Sequence, residues 1–208
     1  MSVAAKKAPA KESIYSLHPS FAMEETSKKN LQERTGKSME QWAQIVRKKG
    51  PKTAAERREW LKKEHRITTN YAWWIVQVAD GTYVGAEDYN PDKLVEDQYT
   101  GKKKALRPIY DKMLEIGRHL GDDVRVCPCE TMVPFYRNHV FAQLKPSTNT
   151  RIDLGFALGD KPAKGRLIDT GGFKKKDRIT HRIPLEKLED IDAEVLAFLK
   201  EAYDRDAK

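Results

Sequence analysis

The chain has 208 residues, 39% hydrophobic and 34% charged, with a formal net charge of +8. The longest mainly apolar run, Tyr71 to Ala79, falls far short of the roughly 20 residues that span a bilayer, and two cysteines exclude a disulfide framework. Charge is uneven: residues 1–81 hold 16 Lys/Arg against 9 Asp/Glu, a net +7, whereas residues 82–208 hold 23 against 22, a net +1. Such asymmetry suggests two units with different surfaces and raises a polyanionic partner for the first.

The opening "MSVAAKKAPAK" is positive, but no apolar segment follows it. No secretory signal is expected, and the chain reads as cytoplasmic with a disordered basic tail over residues 1–14. Residues 15–81 read as a domain of four helices, the first from about Ala22 to Thr35. The stretch "ERTGKS" at 33–38 ends like a phosphate-binding loop. That loop needs a glycine five residues before Gly36 and a buried strand before it; Leu31 and a polar helix-forming run stand there instead. Gly36 suits the left-handed residue that ends a helix, and Ser38 with Gln41 forms a capping box for the next. The second helix runs from Met39 to about Lys49 and stops at Gly50-Pro51. Thr53 with Glu56 opens the third, which continues through Trp60 and Leu61 to about His65. A fourth, "YAWWIVQVA", is capped by Thr69 or Asn70 and ends at Asp80-Gly81. It is apolar on nearly every side, so it is expected to be the buried helix of the group.

Residues 82–103 read as a connector whose Asn90-Pro91 starts a short helix. Residues 104–208 form the second domain. Its first helix places Leu106, Ile109, Tyr110, Met113, Gly117 and Leu120 at helical spacing, with Pro108 near the start. Then "DVRVCPCE", "TMVPFYRN", "HVFAQLKP" and "TRIDLGFAL" read as short strands, with others near Leu167–Ile168 and in "RITHRIP". Ile152, Leu154 and Phe156 alternate with Arg151, Asp153 and Gly155, as in an antiparallel strand with one buried face. A last helix spans about Asp190 to Tyr203. The fold class is α+β: an N-terminal four-helix domain, then an antiparallel-sheet domain flanked by helices.

Two groups of residues carry chemistry. Arg47, Lys48, Lys49, Lys52, Arg57, Arg58, Lys62, Lys63 and Arg66 flank the corner between the second and third helices and continue along the third. Positions 58, 62 and 66 share a face by i, i+4 spacing. Such a stripe neutralises phosphates; the plainer reading is a solvated surface laced with Glu56, Glu59 and Glu64. Trp42, Trp60, Trp73 and Trp74 have the chemistry to stack bases, but a domain this small needs them for its core. The second group, His139, Arg151, Asp153, His181 and Arg182, lies on different strands. It reads as an anion pocket, or as a His–carboxylate pair for acid–base work, with no nucleophile placed by any motif. Cys127-Pro128-Cys129 lacks a second ligand pair for a metal and reads as one buried thiol and one incidental one.

"SLHPSFAMEE", "TGKSMEQWAQIVRKKGPK", "LKKEH" and "NYAWWIV" resemble a bacterial helical module that is a domain of unknown function. "YTGKKKALRPIYDKMLEIGRHLG", "FAQLKPSTNTRIDLGFAL" and "THRIPL…DAEVLAFLKEAY" resemble a second uncharacterised domain that often accompanies it. The second carries a loose transport-related label. It is also met fused to restriction-type nuclease domains, which implies an association with nucleic acid. The resemblance covers about residues 15–205 and transfers no catalytic residue. The leading expectation is a non-enzymatic binding protein, without cofactor or metal, that attaches to nucleic acid or another polyanion through its basic helices. The rival is a binder of small anions, or an enzyme, with its pocket in the second domain.

Overall fold

The computed structural model describes residues 13–207, so the expected basic tail lies outside it except for its last two residues. The described chain divides into two compact units. One is Leu17–Tyr89; the other is the chain from Asn90 onward together with the short segment that ends at Ser16. No helix among the described residues is long and apolar enough to cross a membrane.

The helical unit contains a single turn, α1 (Pro19–Ala22), then α2 (Glu24–Thr35), α3 (Met39–Lys49), α4 (Ala54–His65) and α5 (Thr69–Asp80). After the turn α1, the expected first helix is α2, beginning two residues later than expected. Its end is as expected: Gly36 is left-handed at φ 69° and donates its N–H to Gln32 O. Both capping boxes close. Gln41 N donates to Ser38 Oγ at 3.2 Å while Gln41 Oε1 accepts from Ser38 N at 2.8 Å. Glu56 N donates to Thr53 Oγ1 at 3.2 Å while Glu56 Oε2 accepts from Thr53 N at 3.1 Å. Each cap satisfies N–H groups that the first helical turn cannot. Helices α3 and α4 both pack on α5. They bury Leu31, Trp42, Val46, Leu61, Ile67, Ile75 and Val76.

The burial of α5 differs from expectation. Ala72, Ile75 and Val76 are buried, but Trp73 is 49% exposed and Trp74 is half-buried. Two neighbouring helices cover a stripe of a third helix, not its circumference, so an all-round apolar sequence leaves one aromatic outside. Of the four tryptophans only Trp42 is fully in the core.

The second unit opens with α6 (Pro91–Gln98), where Asn90 Oδ1 accepts from Lys93 N at 3.0 Å. A 3-10 turn at Gly101–Leu106 leads into α7 (Arg107–Arg118). The strands are β1 (Arg125–Val126), β2 (Val133–Tyr136), β3 (Val140–Lys145), β4 (Ile152–Phe156), β5 (Ile168–Asp169) and β6 (His181–Leu185). A short α8 (Gly172–Lys175) precedes β6, and α9 (Ala193–Arg205) follows it. The sheet is antiparallel throughout, in the order β1-β2-β3-β4-β6-β5. Pairing sets Val133 opposite Leu144, Leu144 opposite Leu154, and Leu154 opposite Ile183, so one apolar row crosses four strands. Ile109, Met113 and Leu114 of α7 and Val195, Leu199 and Ala202 of α9 complete that core. Val95 and Tyr99 join it too, so the helix in the expected connector belongs to this unit. So does the segment ending at Ser16: Tyr15 Oη lies 2.9 Å from Tyr110 Oη, and Ser16 N donates to Val126 O at 2.8 Å.

Strand β1 is shorter than "DVRVCPCE" suggests: Cys127 donates to Pro134 O, but Pro134 has no N–H to return to the ladder. Cys129 still donates its amide to Met132 O. Cys127 is buried, and burial pushes its thiol up to about 11.

Two contacts set the position of the helices on the sheet. Gly117 of α7 lies against the ring of Phe135, so that a Cβ there would meet Phe135 Cε1 at 2.4 Å. Gly117→Ala should therefore destabilise the protein by about 1–3 kcal/mol despite its better helix propensity, read as a lower urea midpoint at unchanged slope. At α9, Tyr203 Oη donates to Asp123 Oδ1 at 2.7 Å and Arg137 Nε donates to Asp123 Oδ2 at 2.6 Å. The Tyr203 hydroxyl, then Arg137, hold the Asp123 carboxyl below its usual range. A depressed folded value contributes stability that is complete above the unfolded aspartate's pKa of about 3.9 and is lost as pH falls through the folded one. Asp123→Asn should flatten the decline of Tm below about pH 5, and a parallel decline in variant and parent would refute the assignment.

Candidate polyanion-binding surface

Between Arg34 and Thr68 the helical unit holds 11 Lys/Arg and 4 Asp/Glu. Three of the acids are engaged by their own helices. Glu40 Oε1 accepts from Arg47 Nη1 at 2.9 Å, and Glu59 Oε1 accepts from Lys62 Nζ at 2.7 Å. Glu56 is the second half of the α4 capping box, and the Thr53 hydroxyl and amide hold its carboxyl below the usual range. Only Glu64 of the four makes no ion pair or side-chain hydrogen bond among the described residues.

The expected cations separate into distinct roles. Arg47 donates Nε to Ala79 O at 3.0 Å and Nη2 to Val78 O at 2.9 Å, reinforcing the C-terminus of α5, where Val78 O also accepts from Gly81 N. Arg57 donates Nε to Pro51 O at 2.8 Å and pairs through Nη1 with Asp80. Both expected surface residues are therefore braces between helix ends. Arg66 does not continue the face of Arg58 and Lys62, because α4 ends at His65 and Arg66 turns into the left-handed region at φ 55°. Lys48, Lys49, Lys52 and Lys63 are exposed, Arg58 is half-buried, and these five and Arg66 make no ion pair or side-chain hydrogen bond among the described residues. Arg34 and Lys37, which the sequence reading passed over, are exposed in the same way. Their signal was available: each flanks Gly36 at a helix end, where side chains project into the corner.

The second expected group does not gather in one place. Asp153 Oδ1 accepts from Arg182 Nη1 at 2.8 Å, and Arg151 Nε lies 3.0 Å from the same oxygen without hydrogen-bond alignment. These three form an ion-pair cluster on the sheet face opposite the core row, since Gly155 pairs with Arg182 and Asp153 with Pro184. His181 is one residue along β6 and so points the other way: it is 1% exposed. Both its nitrogens are engaged, Nδ1 with Thr180 Oγ1 at 2.8 Å and Nε2 with Lys161 O at 2.7 Å. His139 stands before β3, at the far end of the strands from Arg151. There its N–H donates to Asp206 Oδ2 at 2.7 Å and its Nδ1 lies 3.1 Å from Asp206 Oδ1. Asp206, buried and also paired with Arg178, ties the β2–β3 turn to the end of α9. Nothing in its local sequence marked it, because its three partners are 28 to 68 residues away.

Two family models match. Residues 95–206 match a domain of unknown function, DUF5655. The chain belongs to the DUF5655 family. Residues 25–81 match a second domain of unknown function, DUF4287. No curated protein and no solved structure gives a match. The DUF4287 match contains all nine expected basic residues, and the DUF5655 match contains all five of the expected pocket. Within the DUF5655 segment a polar recess of about 520 Å³ is lined by Gln98, Lys103, Lys145 and Asn149 among others, and by none of those five.

Because Arg57 braces helix ends, Arg57→Gln should cost the helical unit about 1.5–3 kcal/mol, the range of a hydrogen bond to a charged group. Lys63→Gln, one helix face away and unpaired, should change stability by less than about 0.5 kcal/mol. Thermal unfolding of the two variants beside the parent checks the contrast.

Proposed function

We propose that the helical unit attaches the chain to nucleic acid by sequence-independent contacts with phosphates, in a bacterial cytoplasm, and that the protein works as a binder and not as an enzyme. The observation that supports this reading is the imbalance left after internal pairing. Caps and ion pairs engage the acids Glu40, Glu56 and Glu59, while Arg34, Lys37, Lys48, Lys49, Lys52, Arg58, Lys63 and Arg66 keep their charges unpaired among the described residues. Unpaired cations on neighbouring helix ends match a backbone that carries one charge about every 1.7 Å of duplex axis, and displacement of condensed counterions supplies the free energy. The half-exposed Trp73 adds an aromatic face of the kind that stacks on unpaired bases. A pocket in the sheet unit has less support, since its five residues stand in three separate places.

Fluorescence anisotropy of the full chain with short duplex and single-stranded oligonucleotides tests the reading. Binding should weaken steeply between about 50 and 200 mM salt, with little sequence preference. Lys48→Gln, Lys49→Gln and Lys63→Gln together should reduce the log–log salt slope by roughly 2–3, about 0.9 per lost phosphate contact, at unchanged Tm. No binding at about 50 mM salt, or a triple variant with the parent's affinity and slope, would overturn it.

A further inference from the structure

The corner that resembles a phosphate-binding loop in sequence lines a cavity in the fold. Thr35 and Lys37 from the α2–α3 corner meet Glu64, Arg66 and Thr68 from the α4–α5 corner around a space of about 420 Å³. Three cations open onto it, Arg34, Lys37 and Arg66, against the single carboxylate of Glu64. None of the four makes an ion pair among the described residues. Lys37 is held over the Trp42 ring at 5.3 Å from its centroid, and Trp42 Nε1 donates to Thr35 Oγ1 at 2.9 Å, so the corner is braced from within.

Two further features border the same space. His65 also lines it, with its ring edge-on to Trp42 and Trp60 at centroid distances of 5.1 and 4.5 Å. Its Nε2 is buried with no hydrogen-bond partner among the described residues. Thr68, the residue before α5, gives that helix no side-chain cap, so the first-turn N–H groups lack the partner that Ser38 and Thr53 supply to α3 and α4. Open helix N–H groups, two guanidinium forks and an ammonium together match a tetrahedral dianion, which accepts several bonds at once. The volume exceeds what one phosphate fills, and Leu31, Ile67 and Tyr71 supply apolar wall for an attached body.

We propose that this cavity binds a phosphate monoester: the phosphate of a free nucleotide or the 5′-phosphate end of a nucleic-acid strand. The cavity shares Arg34, Lys37 and Arg66 with the attachment surface, but the lysine variants that test that surface leave all three untouched, so the two readings fail separately. Cations at the ends of α2 and α4 also stabilise those helices, so the test is read on ligand binding.

Calorimetric titration and thermal shift of the full chain, at constant ionic strength, would use inorganic phosphate, adenosine 5′-monophosphate and adenosine. Phosphate and the nucleotide should bind and raise Tm, the nucleotide more tightly, while the nucleoside should not. A 5′-phosphorylated oligonucleotide compared with its 5′-hydroxyl twin separates the sources. Preference for the phosphorylated strand points to strand ends, whereas equal binding of the two with retained nucleotide affinity points to a free nucleotide. Arg34→Gln with Lys37→Gln should lower nucleotide affinity about tenfold or more with an unchanged circular dichroism spectrum. Should the pair unfold, Lys37→Gln alone, at an exposed position, carries the same test. Absence of a phosphate- or nucleotide-specific shift at about 10 mM against matched chloride, or full affinity in a folded variant, would overturn the proposal. Failure of the lysine triple variant to alter oligonucleotide binding would leave it standing.

Discussion

The surface of the helical unit follows from where its acidic side chains are engaged. An α-helix cannot satisfy its first N–H groups or its last carbonyls, and short helices have proportionately many such ends. Here Glu56 engages the start of α4, while Arg47 and Arg57, held by Glu40 and Asp80, close the last turn of α5 and the α3–α4 link. Each bond is individually small. Together they remove most of the negative charge available to neutralise the remaining lysines and arginines, which stay solvated and open to an external anion.

The sheet unit shows the opposite economy. Its candidate polar groups pair with one another: Asp153 with Arg151 and Arg182, Asp206 with His139 and Arg178. The period of two along β6 sends His181 to the buried side and Arg182 to the other. A single step of register thus separates residues that look adjacent in sequence. His181 then serves packing, since Nδ1 meets the hydroxyl of the preceding Thr180 and Nε2 meets Lys161 O across a loop. Asp206 joins three chain segments that have no sequence proximity, which is a structural task usually given to apolar contacts in a larger domain.

Much of the fold was legible in the order of residues. Capping boxes at Ser38–Gln41 and Thr53–Glu56, the terminator Gly36, the Asn90-Pro91 start and the alternation in Ile152–Phe156 are decided within a few residues, so their sequence patterns suffice. The site was legible only in part. Helical spacing joined Arg58, Lys62 and Arg66 into one stripe, but the left-handed turn at Arg66 takes it off that face. Composition put all four tryptophans inside, yet Trp73 is half-exposed among the described residues.

By itself the sequence determined the element types, the change from helical to alternating period, the family and the positive balance of the first half, because each depends on local pattern or on composition. Only the tertiary structure decided which cations are free. Whether Arg47 is a surface charge or a helix brace depends on where the carbonyls of Val78 and Ala79 end up, more than 30 residues away. Whether the Gly36 corner is a bland turn or one wall of a cavity depends likewise on the distant turn at Arg66 meeting it. Long-range packing sets both, and no spacing along the chain encodes it.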